Sequence, residues 1–513
     1  MSALCLLIGE KNYAGFRIFE EKSLAEIFVP GREVLPQYTL RLRQFFQKAL
    51  ERDLRVRYED RRCFSEVYRA AKDGDWKTRT SFVVMGFGHF ARRQYLRGAM
   101  YLIFEVIFIA YFALFGWKYL VKMGSLGDQA MVEVFNEETG IFEYVYYDNS
   151  MLILLYSVLT LFFMCAFVYM WYQNLRTCNV LQEMEEVGKK LPSTKDSLDS
   201  MVNDQYYKTL LALPMLGVLV FTIIPIVFMV LIAFTNYDQV HMPPSRLFDW
   251  VGTDNFATIL GGSGVTGPAF AYTFREVLIW TLIWAFFATF TNYILGMLVA
   301  LLINKKGIRF KKLWRTILIF SVAVPQFVSL LLMSQMLGSE GIINQLLKSW
   351  GWIEDSLPFL TNGTWARVTV IVVNIWIGIP FTVLITTGIL MNIPADLYES
   401  AKIDGASPLR TYLRITLPYM WFVTTPYLIN TFVGNINNFN VIFLLTGGAP
   451  LLTELQNAGQ TDLLITWLYK LTYNEQNYSF AAVIGIITFI IIAVISLIFY
   501  NRSNAVKNEE EFM

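Results

Sequence analysis

The chain has 513 residues, of which 55% are hydrophobic and 16% charged, and 42 basic side chains balance 41 acidic ones to a formal net charge of +1. Soluble domains carry about 25% charged residues, so an ordinary soluble domain is excluded. The balanced total gives no sign of nucleic-acid binding. The missing charge is concentrated in apolar stretches of about 20 residues, the length that crosses a bilayer.

Residues 1–80 are polar, rich in Arg and Glu, and broken at Pro30-Gly31. Between Pro36 and Ala71, Leu40, Phe45, Phe46, Leu50 and Leu54 recur at roughly helical spacing, which allows a helix there, either in a small cytoplasmic appendage or in a poorly ordered tail. No cleavable signal pattern is expected, because the apolar residues 4–8 are too few for a signal core. Candidate spans then lie near 99–121, 150–173, 208–234, 276–303, 312–337, 365–392, 419–446 and 479–500. Glu105 falls inside the first, where a carboxylate is costly in lipid, and a contact with a neighbouring helix is the expected explanation. The fold predicted is an all-α integral membrane protein of about eight transmembrane helices. Its parts are an N-terminal cytoplasmic segment without an assigned role (1–80), a first pair of spans with the loop behind them (81–207), a core of six spans (208–500) and a cytoplasmic tail (501–513).

Orientation is read from Lys and Arg in short loops, which favour the cytoplasm. The run Lys305-Lys306-Gly307-Ile308-Arg309-Phe310-Lys311-Lys312 is the densest. Placing it inside puts both termini and the loop after the sixth span inside as well. Arg92, Arg93 and Arg97 before the first span agree with this. The acidic loop after that span, with Asp128, Glu133, Glu137, Glu138, Glu143 and Asp148, falls outside. Cys5, Cys63 and Cys178 fall on the cytoplasmic side and Cys165 within a span, so no external disulfide is expected. Neither these cysteines nor His89 and His241 have metal-ligand spacing, so no metal or other cofactor is predicted.

The loop between the sixth and seventh spans, residues 394–418, is long and organised. Pro394 opens a helix whose first turn carries Asp396 and Glu399 at its positive end. Gly405 can end it in a left-handed turn, and Ser407 can cap a second helix beginning at Pro408. Leu409, Leu413, Thr416 and Leu417 give that helix an apolar face, and Pro418 closes the unit. Such an elbow suits docking into a groove of a soluble partner, although an interfacial linker would also account for it.

Glu399-Ser400-Ala401, then Gly405, then Ile415-Thr416-Leu417-Pro418 resemble the cytoplasmic loop of bacterial ABC-importer permeases, whose pattern is Glu-Ala-Ala, three residues, Gly, and Ile-x-Leu-Pro. Ser400 replaces the first Ala. The segments Ile393–Glu399 and Asp404–Ala406, and Ala233–Tyr237 with Val251–Phe256, resemble carbohydrate-importer permeases. Asn437–Gly448 and Ala458–Leu464 resemble the larger permease subunit of maltose/maltodextrin importers. The resemblance covers about residues 80–500. It implies a type I ABC-importer permease architecture. It also implies that Glu399, Ser400, Ala401, Asp404, Gly405 and Pro418 couple the spans to an ATPase. The partners implied are a second permease subunit in a heterodimer, two ATPase subunits, an extracellular sugar-binding protein, the sugar and membrane lipid, with no nucleic acid. Some relatives carry a large extracellular insert between the third and fourth spans, and residues 235–275 are too few for one.

Polar residues inside spans need a reason. Asn374 and Gly378 share a face of the sixth span, with Phe381 close to it. Thr431, Asn435 and Asn438 form a stripe on the seventh, beside Gly434. Amides donate and accept, which suits sugar hydroxyls, and Phe381 or Trp376 can pack on a pyranose ring. The pattern leaves two readings, sugar contact or hydrogen bonds between helices. The resemblance implies the first for Asn374, Gly378, Phe381, Thr431, Gly434, Asn435 and Asn438. No Gly-x-x-x-x-Gly-Lys-Ser/Thr loop occurs, so ATP hydrolysis is expected in a partner and the chain itself is not read as an enzyme. The alternatives are an ion-coupled secondary transporter or channel, or a membrane enzyme. They lack support in the sequence, because Glu105 is the one intramembrane acid that stands out and no catalytic cluster is found.

Overall fold

The computed structural model describes residues 64–502, apart from 138–139, 145–146, 194, 197–198, 200–201, 204–205 and 306. The segment 1–63 and the tail 503–513 lie outside the described residues. Of the helix expected between Pro36 and Ala71, the last part is described, as α1 (Phe64–Lys72). Among the described residues six helices are long and apolar enough to cross a membrane: α2 (Tyr95–Lys122), α3 (Ser150–Glu186), α4 (Thr209–Ile232), α5 (Gly267–Asn304), α8 (Gly363–Leu390) and α13 (Tyr478–Arg502). Between α5 and α8 lie the shorter helices α6 (Lys311–Ala323) and α7 (Gln326–Met336), followed by a short helical segment at Ile342–Ser349. After α8 come α9 (Ala395–Ile403), α10 (Pro408–Ile436), α11 (Phe439–Leu445) and α12 (Leu464–Tyr473).

Two apolar stretches that hydropathy reads as single spans are not straight. Residues 312–337 form α6 and α7, separated at Val324-Pro325. Pro325 drives the residue before it out of the helical region, and Val324 is extended at φ −75°, ψ 124°. Residues 419–446 become α10 and α11, bent by 42° at Asn437-Asn438.

The chain divides into two compact units, one of residues up to Gly124 with Leu154–Ile224, the other of Ser125–Ile153 with Pro225 onward. In the first, the polar end of the 37-residue α3 organises a small core. Val67 and Ala71 of α1 pack on Leu175, flanked by Phe82, Trp171 and Tyr172. Beside it the Arg92 guanidinium is fully enclosed. It donates to both oxygens of Asp75 at 2.9 and 2.8 Å and to Glu185 at 3.0 Å, so the buried charge is compensated. His89 Nδ1 donates to Gln94 Oε1 at 3.0 Å. Burial pushes the His89 imidazole down to about 4, so it is neutral at physiological pH. Glu105 Oε2 accepts the backbone N–H of Met85 at 2.8 Å. The carboxylate expected to meet a neighbouring helix instead ends a main-chain turn.

In the second unit the longest shared helix contact is between α5 and α8, and small residues make it. A Cβ on Gly296 would lie 2.6 Å from both Cβ and Cγ2 of Thr382, and a Cβ on Gly378 would lie 2.5 Å from Asn292 Nδ2. Ala285, Ala288 and Ala300 of α5 are fully buried. Small residues let helix backbones approach in lipid, where apolar transfer does not drive association. Trp280 and Trp284 extend this seam into a core with Val370, Val373, Val441 and Ile442. Their indole N–H groups donate to the carbonyls of Thr461 (3.1 Å) and Asn435 (3.0 Å). The same unit holds a hairpin, β1 (Glu133–Asn136) and β2 (Ile141–Tyr144), antiparallel with Glu133 opposite Tyr144.

Gly296→Ala is expected to force α5 from α8 and lower the unfolding midpoint in detergent, at an overpacking cost of about 1–3 kcal/mol. Gly388→Ala in α8, where a new Cβ meets nothing within 4 Å, should leave the midpoint unchanged or slightly raised. Thermal unfolding of the two purified variants distinguishes them.

Candidate solute pathway and elbow

Helices α5, α8 and α10 wall a cavity of about 220 Å³, and Gln326 at the start of α7 also lines it. α8 contributes Asn374, Gly378, Phe381 and Thr382, and α10 contributes Tyr427, Leu428, Thr431 and Asn435. Asn438, at the bend, completes that side. α5 contributes Ala288, Thr289, Asn292 and Tyr293. No acidic or basic side chain lines the cavity among the described residues.

Six of the seven residues singled out from the sequence meet here: Asn374, Gly378, Phe381, Thr431, Asn435 and Asn438. Gly434 does not line the cavity, and a Cβ placed on it meets nothing within 4 Å. Trp376 is exposed and also lies off the cavity. Gly378 lines the cavity, but its missing side chain makes room for Asn292. The contributions of α5, α7 and Tyr427 were missed. Asn292 in the middle of a long apolar helix was the available signal, since an amide at such a depth needs a partner.

The polar groups differ in what they have left to offer. Asn435 Nδ2 donates to Thr289 Oγ1 at 2.9 Å, and its Oδ1 accepts from Asn438 Nδ2 at 3.3 Å. Asn438 Oδ1 accepts from Val441 N at 3.3 Å and so caps α11 after the bend. Thr431 Oγ1 donates back to Tyr427 O at 2.8 Å. Hydrogen bonding between and within helices therefore engages much of the α10 stripe. Asn374 is buried and its side-chain amide has no partner among the described residues. The Phe381 ring is half exposed on the cavity wall.

A packed cluster connects the cavity with the elbow. Tyr293, which lines the cavity, packs with Met297, Ile393, Met420 and Leu428, and Tyr398 of α9 joins them. Tyr398 Oη lies 3.0 Å from Thr416 Oγ1, which ties α9 to the base of α10. In the elbow itself, Pro394 is the N-cap of α9 and Gly405 follows it at φ +71°. Ala406 N donates to Ala401 O at 2.9 Å, closing the helix end. Ser407 Oγ then accepts from Arg410 N at 3.3 Å and Pro408 takes the first helical position. Pro418 was expected to close the unit, yet the helix runs through it. A π-helical turn at Tyr412–Thr416 directly precedes it, and such a bulge relieves the clash and missing donor that a proline brings. On the elbow, Ala401 is buried while Glu399, Ser400, Asp404 and Gly405 are exposed. Ile403 is 86% and Leu409 67% exposed, an apolar surface beside acids that the chain itself leaves uncovered.

Membrane-length helices around an uncharged, amide-lined cavity define a multi-pass membrane transport subunit. The model of the family "Binding-protein-dependent transport system inner membrane component" matches residues 292–505. The galactooligosaccharides transport system permease protein GanP of Bacillus subtilis is 35% identical over 429 residues, 83% of this chain and 97% of its own. The maltodextrin transport system permease protein MalC of Streptococcus pneumoniae is 32% identical over 437 residues, 83% of this chain and 96% of its own. A chain from the crystal structure of a bacterial alginate ABC transporter superposes with TM-score 0.50 at 23% identity, covering 60% of this chain and 98% of that one, which speaks for the fold. The chain belongs to the family of binding-protein-dependent transport system inner membrane components, the permease subunits of ABC importers.

Asn438→Ala removes the cap of α11 and a partner of Asn435, so it should lower the unfolding midpoint by the equivalent of about 0.5–2 kcal/mol. Phe381→Ala, on a half-exposed ring, should shift it by no more than about 0.5 kcal/mol. Thermal unfolding in detergent without sugar measures both.

Proposed function

We propose that this permease subunit forms one half of the translocation path of an ATP-driven importer of neutral oligosaccharides, of the maltodextrin or galactooligosaccharide type. One observation carries the substrate class: the cavity is lined by amides, hydroxyls and aromatic rings and by no charged side chain among the described residues. Amides and hydroxyls exchange hydrogen bonds with neutral sugar hydroxyls. The rings of Tyr293, Phe381 and Tyr427 offer apolar faces to a pyranose. An acidic saccharide would find no cation there. Ion-coupled transport is disfavoured on the same ground, since the lining offers no carboxylate or ammonium to carry the ion.

In this reading a second permease subunit supplies the other half of the path as a heterodimer, two ATPase subunits hydrolyse ATP, and an extracellular sugar-binding protein delivers the solute. The chain carries no ATP-binding motif. Asn374, Gly378, Phe381, Thr431, Asn435 and Asn438 contact the sugar or hold the groups that do, and Gly434 borders them. Glu399, Ser400, Ala401, Asp404 and Gly405 enter a cleft of the ATPase, and Pro418 sits where that motion passes into α10. The basic run from Lys305 to Lys312 supports a cytoplasmic elbow and cytoplasmic termini.

Reconstituted with its partners, the transporter should show ATP hydrolysis stimulated by maltotriose or a galactosyl trisaccharide and not by an oligouronate of equal length. Stimulation by the oligouronate alone would overturn the reading.

Gly405→Val places a β-branched residue at φ +71°, where it is a steric outlier, although the space around it is open. The angle between α9 and α10 changes while the cavity does not. Co-purification of the ATPase should fall and sugar-stimulated hydrolysis should drop at least fivefold, with membrane insertion intact. For topology, a cysteine at position 402 should resist an impermeant maleimide added to intact cells, and one at 137 should react.

A further inference from the structure

Asn292 lines the cavity, and its Oδ1, which has almost no accessible surface, has no hydrogen-bond partner among the described residues. Asn292 is 8% exposed. Its orientation is determined by its other end. Nδ2 donates to Ala288 O at 3.0 Å and to Asn374 O at 3.4 Å. Both partners are carbonyl oxygens, which only accept, so a flipped amide would set oxygen against oxygen. Oδ1 is therefore the open atom, and it is an acceptor. Gly378 of α8 lies against it: a Cβ there would sit 2.5 Å from Nδ2 and 2.8 Å from Oδ1. The chain thus leaves out a side chain to admit this amide and then supplies no donor for its oxygen. An unpaired buried acceptor is costly, and buried polar groups are almost always paired. The donor is expected to come from what fills the cavity. Asn374, the neighbour that receives one Nδ2 bond, lines the same cavity with its own side-chain amide unengaged among the described residues, so a solute that draws Asn292 Oδ1 out of the seam meets two adjacent amides.

We propose that Asn292 is a specificity-determining residue of the saccharide site, its Oδ1 accepting a hydrogen bond from one sugar hydroxyl that must act as donor. This adds α5 to the helices that read the solute, and it rests on the reading of the cavity as a site for neutral saccharide. Vicinal hydroxyls suit it, one donating to Asn292 Oδ1 while its neighbour bonds the Asn374 amide. The seam between α5 and α8 then closes on the sugar.

The test is equilibrium binding to the assembled permease–ATPase complex in nanodiscs, with the sugar-binding protein omitted so that its preferences do not enter. The probes are maltotriose and a galactosyl trisaccharide, each with a set of monodeoxy and monodeoxyfluoro derivatives. Fluorine cannot donate. In the unmodified complex, loss of one particular hydroxyl, by hydrogen or by fluorine, should weaken binding about tenfold. In Asn292→Ala the parent sugar should weaken about tenfold and the discrimination at that hydroxyl should fall to about one. Asn292→Thr, too short to reach, should behave the same way and guards against failed assembly of the alanine variant. If no hydroxyl must donate in the unmodified complex, or if the same requirement survives in an assembled variant, the proposal is overturned while the neutral-saccharide reading stands. If neither sugar family binds the unmodified complex, the reading itself falls, and the proposal with it.

Discussion

The close approach of α5 and α8 is the constraint on which the rest of the second unit depends. Two helices in lipid gain little from apolar transfer and must be held by shape. Gly296 against Thr382 and Gly378 against Asn292 supply that shape at two levels of one seam. With the seam closed, α8 contributes Asn374 and Phe381 to the cavity wall, and α5 delivers Thr289 and Trp284 to Asn435. The cavity is what remains between three helices whose distances are set by residues without side chains to spare.

Local backbone chemistry was the most legible part of the sequence. The elbow shows this best: a proline opening α9, a glycine at positive φ, and a Ser-Pro pair starting α10 each act within a few residues, so their effects survive without tertiary context. Hydropathy located the membrane helices but not their direction. An apolar count is indifferent to Pro325, which splits one stretch, and to the bend at Asn437-Asn438, which splits another. The bend also changes the meaning of the α10 stripe. Spacing of four and three places Thr431, Asn435 and Asn438 on one face only while the helix continues, and Asn438 already belongs to the cap of α11. The α5 wall went unread because the role of Asn292 depends on a glycine 86 positions away.

Between cavity and elbow the protein is packed without interruption. Tyr293 touches both the cavity and the cluster that receives Tyr398 of α9, and the contact of Tyr398 with Thr416 joins α9 to the helix that lines the cavity. Close-packed interiors transmit displacement poorly as continuous strain and well as a choice between arrangements. A shift of α9 therefore has a short route to the α10 wall. The π-helical turn at Tyr412–Thr416 lies on that route, where the helix already departs from regular hydrogen bonding.

The absence of charge along the cavity among the described residues has an electrical consequence. Moving one elementary charge across a membrane potential exchanges about 2.3 kcal/mol per 100 mV. A neutral solute passing neutral walls moves none, and lining side chains that carry no charge move none when the helices rearrange. On this chain's side of the cavity the proposed passage of a neutral saccharide therefore couples to no membrane voltage. A cell whose potential has collapsed would keep this route open as long as its nucleotide supply lasts.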